Sequence, residues 1–122
     1  MYDEKFMRQA IQLSFDGMSA GGGPFGAIVV KNGKIIGEGK NSVVPQKNPT
    51  LHAEIVAIIN ACNQLNSHLL NGCEIYCSSE PCPMCLGAIF WARIEKIYYG
   101  NSRTDAHKIG FDDEQNSSCG DF

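Results

Sequence analysis

An α/β fold built on one mixed sheet is what this chain predicts, and three observations carry the prediction. Residues 27–31 and 34–40 read as two strands joined by Asn32-Gly33, the preferred pair for a two-residue type I′ hairpin turn. Two further runs, 74–78 and 94–99, are rich in aromatic and β-branched residues and flank a helical segment. They should therefore lie parallel, joined by a right-handed crossover. The order α-β-β-α-β-α-β fits in 122 residues, enough for one hydrophobic core and too few for two.

Each element has its own justification. Residues 3–18 place Phe6, Ala10, Leu13 and Gly17 on one helical stripe with charges opposite, and Gly21-Gly22-Gly23-Pro24 ends the helix. Asn48-Pro49-Thr50 offers a cap and an N1 proline for a second helix running to about Asn66. Cys82-Pro83 opens a third, reaching Trp91. The last strand alternates imperfectly, as a strand covered on both faces does. Beyond Gly100 the chain turns polar, with Ile109 and Phe111 the bulky apolar exceptions before Phe122. We read one domain over residues 1–114 and a short polar tail over 115–122, without repeats or low-complexity stretches.

Composition narrows the function. Hydrophobic residues at 43% and charged residues at 19% belong to a globular chain, not a disordered one. A net charge of −3 with no Lys/Arg cluster argues against a large nucleic-acid ligand, because phosphate neutralisation needs clustered cations. The start, Met1-Tyr2-Asp3-Glu4-Lys5, carries no apolar signal region and no run reaches membrane-spanning length, so a cytoplasmic protein without membrane contact is expected. In that setting six cysteines, two of them in C-x-x-C, read as metal ligation in preference to a disulfide scaffold. Cys62 lies in a helical pattern, and Cys73 and Cys77 alternate with Ile75 on one strand face, so buried free thiols are expected there. Cys119, in the tail, receives no role.

The chemistry is concentrated in His52-Ala53-Glu54 and Pro81-Cys82-Pro83-Met84-Cys85. One imidazole and two thiols are ordinary zinc ligands, and three protein ligands leave the fourth tetrahedral position to water. A glutamate two residues from the histidine can move that water's protons. Cys82 and Cys85, at i and i+3, face nearly the same way, and Pro83 costs nothing at a helix start. Orphan N–H groups and the positive helix end there favour thiolate. His52 and Glu54 are about 200° apart around a helix and share no lateral face. At the helix N-terminus both can still reach a group lying ahead of the axis, so the spacing permits two helix starts converging on one metal. A structural zinc site would be closed by four protein ligands, whereas three stand in pattern here. His68 and His107 have no partners at ligand spacing and read as surface or loop histidines.

The order H-x-E … P-C-x-x-C is the known signature of zinc nucleobase deaminases. On it the chain resembles the cytidine-deaminase superfamily, and within that the bacterial guanine deaminases. The resemblance runs from Phe6 to Glu114. It includes Gly22-Gly23-Pro24-Phe25-Gly26-Ala27, Asn41, Pro49-Thr50, Glu80 through Cys85, Gly87-Ala88-Ile89-Phe90-Trp91-Ala92-Arg93, Thr104-Asp105-Ala106 and Gly110-Phe111-Asp112-Asp113. It implies a three-layer α/β/α cytidine-deaminase-like fold, a homodimer (domain-swapped in some relatives), one Zn2+ per chain, and hydrolysis of guanine to xanthine and ammonia.

Residue by residue, the resemblance implies that His52, Cys82 and Cys85 bind zinc and that Glu54 shuttles protons. Asn41 and the main chain of Ala53 would contact the purine, Phe25 and Trp91 would line its pocket, and Asp113 would read its donor edge. The Glu80 carbonyl would accept from the departing amino group. From the residues alone, Phe25 and Trp91 are equally core aromatics, Asn41 a strand end, and Asp112-Asp113 a solvated turn. The rival readings are a tRNA adenosine or cytosine deaminase and, from another class, a zinc-stabilised purine-binding protein without activity. Family members continue past Gly-Phe-Asp-Asp with a helix, a strand and a closing helix. Here only nine residues follow, Glu114 to Phe122, so that C-terminal helix-strand-helix is expected to be absent, leaving the fourth strand as an open edge.

Overall fold

The computed structural model describes residues 1–19 and 21–101. His107, Asp112, Asp113, Cys119 and the polar tail lie outside the described residues. Helix α1 (Glu4–Ser19) leads to strands β1 (Gly26–Lys31) and β2 (Lys34–Lys40), the short helix α2 (Val43–Gln46) and helix α3 (Ala53–Leu65). Strand β3 (Cys73–Ser79), helix α4 (Pro83–Ala92) and strand β4 (Lys96–Asn101) follow. The sheet order is β2-β1-β3-β4; β1 is antiparallel to β2 and β3, and β3 is parallel to β4. The mixed sheet is as expected.

The hairpin turn has the predicted chemistry. Asn32 and Gly33 sit at φ 52° and 75°, the positive pair that a type I′ turn demands. A register irregularity at Val29/Val30 was not legible in the sequence.

Alternating side chains sort the core into two layers. Ile28, Val30 and Tyr76 meet Phe6, Met7 and Ala10 of α1, while Ala27, Val29, Ile75 and Cys77 meet α3 and α4 on the other face. The result is the expected three-layer α/β/α arrangement. Ile97 of β4 packs towards one layer and Tyr98 towards the other, in line with the imperfect alternation of that strand. Cys73 and Cys77 are buried and Cys62 half-buried, all three free thiols. Among the described residues no helix is long and apolar enough to cross a membrane.

One contact decides where α3 lies. Ala53, Ala57 and Ala61 recur every four residues on its buried stripe, facing the glycines of β2. A Cβ on Gly39 would sit 2.2 Å from the Ala53 carbonyl oxygen, and one on Gly37 2.5 Å from that of Ala57. Helix backbone thus rests on strand backbone, and Asn60 Nδ2 adds a 2.7 Å bond to the Glu38 carbonyl.

The start of α3 departs from expectation. Asn48 does not cap it: its Oδ1 accepts the Thr50 amide at 2.9 Å and the Thr50 hydroxyl at 2.7 Å. That local turn competes with helix formation, and the helix begins after His52 instead.

Candidate active site

His52 is the N-cap of α3 and Cys82 the N-cap of α4. Both have extended backbones, φ/ψ −63°/159° and −73°/168°, and neither side chain caps its own helix. An N-cap side chain with that backbone lies ahead of the helix axis, where a ligand shared by two helices can sit. Pro83 fills the first helical position of α4, and Cys85 follows within the first turn. The sequence reading placed all three ligands inside first turns; two of them stand one residue earlier.

His52 Nδ1 lies 3.5 Å from Cys82 Sγ and 3.6 Å from Cys85 Sγ, and the three donor atoms are all within 4.8 Å of one another. A tetrahedral zinc ion with sulfur at about 2.3 Å and nitrogen at about 2.0 Å sets its N···S edges near 3.5 Å. The donor triangle fits that ion in both chemistry and size.

The two thiols are electrostatically unlike. The hydrogen bond with Cys85, aided by His52, holds Cys82 far below the ordinary thiol range, at about 4. Cys85 moves up, through its bond to Cys82, then burial, then the nearby Glu54 carboxylate. Zinc needs both sulfurs as thiolates, so its affinity should rise with pH while the Cys85 thiol still has a proton to lose. Chelator competition between about pH 6 and pH 8 measures this; an affinity independent of pH would contradict it.

Glu54, in the first turn of α3, is 8% exposed. It bears on the Cys85 thiol and also on Cys77, which burial first and then Glu54 push well above the usual thiol value. Phe25, Asn41, His52, Glu54 and Glu80 line one recess. Ala53, fully buried between His52 and Glu54, places its amide among the orphan donors of the helix start. Asn41 Oδ1 accepts the Val43 amide at 3.2 Å, so the remaining polar end of its amide is the donor, Nδ2.

Trp91 is not brought to this recess. It is 72% exposed and meets Phe90 edge-on at 5.9 Å, with the Arg93 guanidinium 4.9 Å from the Phe90 ring. Ile89 and Ala92 take the core-facing side of α4, and at about 100° per residue that turns positions 90 and 91 outward. Asp113 lies outside the described residues. A larger cleft at the hairpin end, between Asp3, Phe6, Asn32 and Glu74, gathers no metal-ligating group of three among the described residues. Helix α2, which begins beside Asn41, has no sequence signal, since four residues are too few to show a period.

A three-layer α/β/α sandwich here aims two helix starts at a His–Cys–Cys triangle compatible with a zinc ion, beside a buried carboxylate, which is the equipment of a hydrolytic centre. Residues 1–101 match the model of the cytidine and deoxycytidylate deaminase zinc-binding region, and the chain belongs to that family of hydrolytic deaminases. It is 51% identical over 114 residues to the guanine deaminase of Bacillus subtilis (strain 168), covering 93% of this chain and 73% of that protein. The X-ray structure of the Bacillus subtilis guanine deaminase superposes with a TM-score of 0.89 at 50% identity, covering 93% of this chain and 73% of that one. A tRNA-specific adenosine deaminase of Aquifex aeolicus (strain VF5) is 44% identical over 99 residues, covering 81% of this chain and 66% of that protein. A mutant protein crystallised in complex with 8-azaguanine superposes with a TM-score of 0.83 at 35% identity, covering 88% of this chain and 62% of that one.

Proposed function

We propose that the protein hydrolyses a free purine base, guanine, to xanthine and ammonia, with one zinc ion per chain held by His52, Cys82 and Cys85. The observation that carries the reading is the donor triangle opening beside buried Glu54, in a recess shared with Phe25 and Asn41. Its choice of base is supported by the 51% identity to a guanine deaminase over 93% of the chain, and by the net charge of −3.

When bound, zinc supplies Lewis acidity that makes water a competent nucleophile at neutral pH. Glu54 accepts the water proton and passes it to a ring nitrogen as oxygen bonds to the aminated carbon. It then takes the proton of the newly added hydroxyl and delivers it to the amino nitrogen as the C–N bond breaks, so that the product carbonyl forms and ammonia leaves. The Ala53 amide and Asn41 Nδ2 donate to acceptors on the base, the Phe25 ring packs on its face, and the Glu80 carbonyl accepts from the departing amino group. Asp113 reads the donor edge of the base. The burial of Glu54 keeps bulk water from diverting its proton.

A homodimer belongs to the same reading. Leu86, Phe90 and Trp91 leave an exposed apolar face on α4 of the kind that marks association sites. Sedimentation of the full chain at its single mass of 13.3 kDa would exclude it.

The 44% identity to a tRNA-specific adenosine deaminase keeps one rival in view. Incubating the zinc-loaded protein with guanine, adenine, cytosine or a tRNA anticodon hairpin, and measuring ammonia, separates the readings. Release from guanine alone is expected. Release from the hairpin alone would reassign the substrate, and none at all would favour a zinc-stabilised purine-binding protein.

A further inference from the structure

We infer that Gly22 is a positioning residue for the base-binding half of the site, acting through Asn41. A Cβ on Gly22 would lie 2.3 Å from the Asn41 carbonyl oxygen, 3.4 Å from its carbon and 3.2 Å from the Gly17 carbonyl oxygen. The loop before β1 therefore closes main chain to main chain on the end of β2, and glycine is the residue that permits it. The Gly22 amide donates to the Gly17 carbonyl at 2.8 Å, fixing the loop to the end of α1. From the other side, the Asn41 amide donates to the Phe25 carbonyl at 3.2 Å.

The two sides of this contact are also two walls of the recess, Phe25 on the loop and Asn41 on the strand end. A side chain at position 22 forces one of them to move. If the loop yields, Phe25 is drawn from its bond to Asn41. If the strand end yields, Asn41 Nδ2 leaves the recess. No zinc ligand is among the atoms that a Cβ on Gly22 would meet, and Cys82 and Cys85 stand on α4, away from this contact.

The inference rests on the reading that Asn41 meets the base, and the experiment is a double-mutant cycle on the zinc-loaded full chain. The probes are KM for guanine and the dissociation constant of 8-azaguanine, with zinc affinity measured alongside. Gly22→Ala should raise both base-binding constants about tenfold or more, with zinc affinity unchanged, while in an Asn41→Ala background the same change should add less than about threefold. Gly17→Ala presses the same loop more gently, through the Gly23 carbonyl oxygen at 3.2 Å, and gains helix propensity, so it serves if Gly22→Ala does not fold. It should raise the constants about two- to fivefold, again only with Asn41 present.

Base binding unchanged in a folded Gly22→Ala, or a penalty undiminished without Asn41, would overturn the inference while leaving the function intact. Base binding unchanged in Asn41→Ala would instead remove the reading on which it rests, and the inference with it. Retained 8-azaguanine binding without ammonia release would count against the proposed activity alone.

Discussion

Glu54→Gln should leave the zinc in place and the fold intact while turnover of guanine falls roughly 10³- to 10⁴-fold. The substitution keeps the size of a side chain that is 8% exposed and removes only its capacity to take up and give back a proton. The proposed mechanism uses that capacity twice, once at the ring nitrogen and once at the leaving nitrogen. Zinc stoichiometry, thermal denaturation and steady-state ammonia release decide the matter together. A zinc-replete variant within tenfold of the parent rate would strip Glu54 of its role, and a variant that lost its zinc would recast it as a support for the metal. A rise in KM with kcat unchanged would make it a binding residue instead.

Cys85→Ala should abolish stoichiometric zinc binding, weakening affinity by about 10³-fold or more, and take activity with it. The sulfur is buried, sits 3.6 Å from His52 Nδ1, and forms one corner of a triangle that leaves two donors when it is removed. Metal analysis after dialysis and chelator competition give the affinity. The melting temperature of the parent should fall on chelation, because whatever binds only the folded chain stabilises it. If Cys85→Ala retained one zinc per chain at parental affinity, the assigned ligand set would be wrong. If chelation left the parent's melting temperature unchanged, the ion would not be coupled to the fold.

Much of this site is legible along the chain because its chemistry is local. His52-x-Glu54 and Cys82-x-x-Cys85 each sit at one helix start, and ligand type and spacing are properties of a few consecutive residues. The hairpin is legible for the same reason: Asn32-Gly33 is a two-residue signal that needs no tertiary partner. Errors arise where a local signal has a rival. Asn48 and Pro49 have the composition of a helix cap, yet the Asn48 side chain closes its own turn on Thr50 and the helix waits for His52. The pocket role of Trp91 is of another kind, implied by the family resemblance and by no local signal, and within this chain Ile89 and Ala92 pack into the core and turn it outward.

The sequence by itself marked the candidate donor atoms, the proposed proton carrier and the order of the strands and long helices, and its family motif pointed to the class of reaction. Tertiary structure alone decided that α3 could descend to β2, because Gly37 and Gly39 clear the path for its alanine stripe. It alone brought the loop at Gly22 against Asn41, and turned Trp91 away from the recess. The physical reason is the range of the interactions. Ligand chemistry and turn preference act within a few bonds, whereas the approach of one backbone to another depends on segments far apart in the chain and becomes visible only once they are packed.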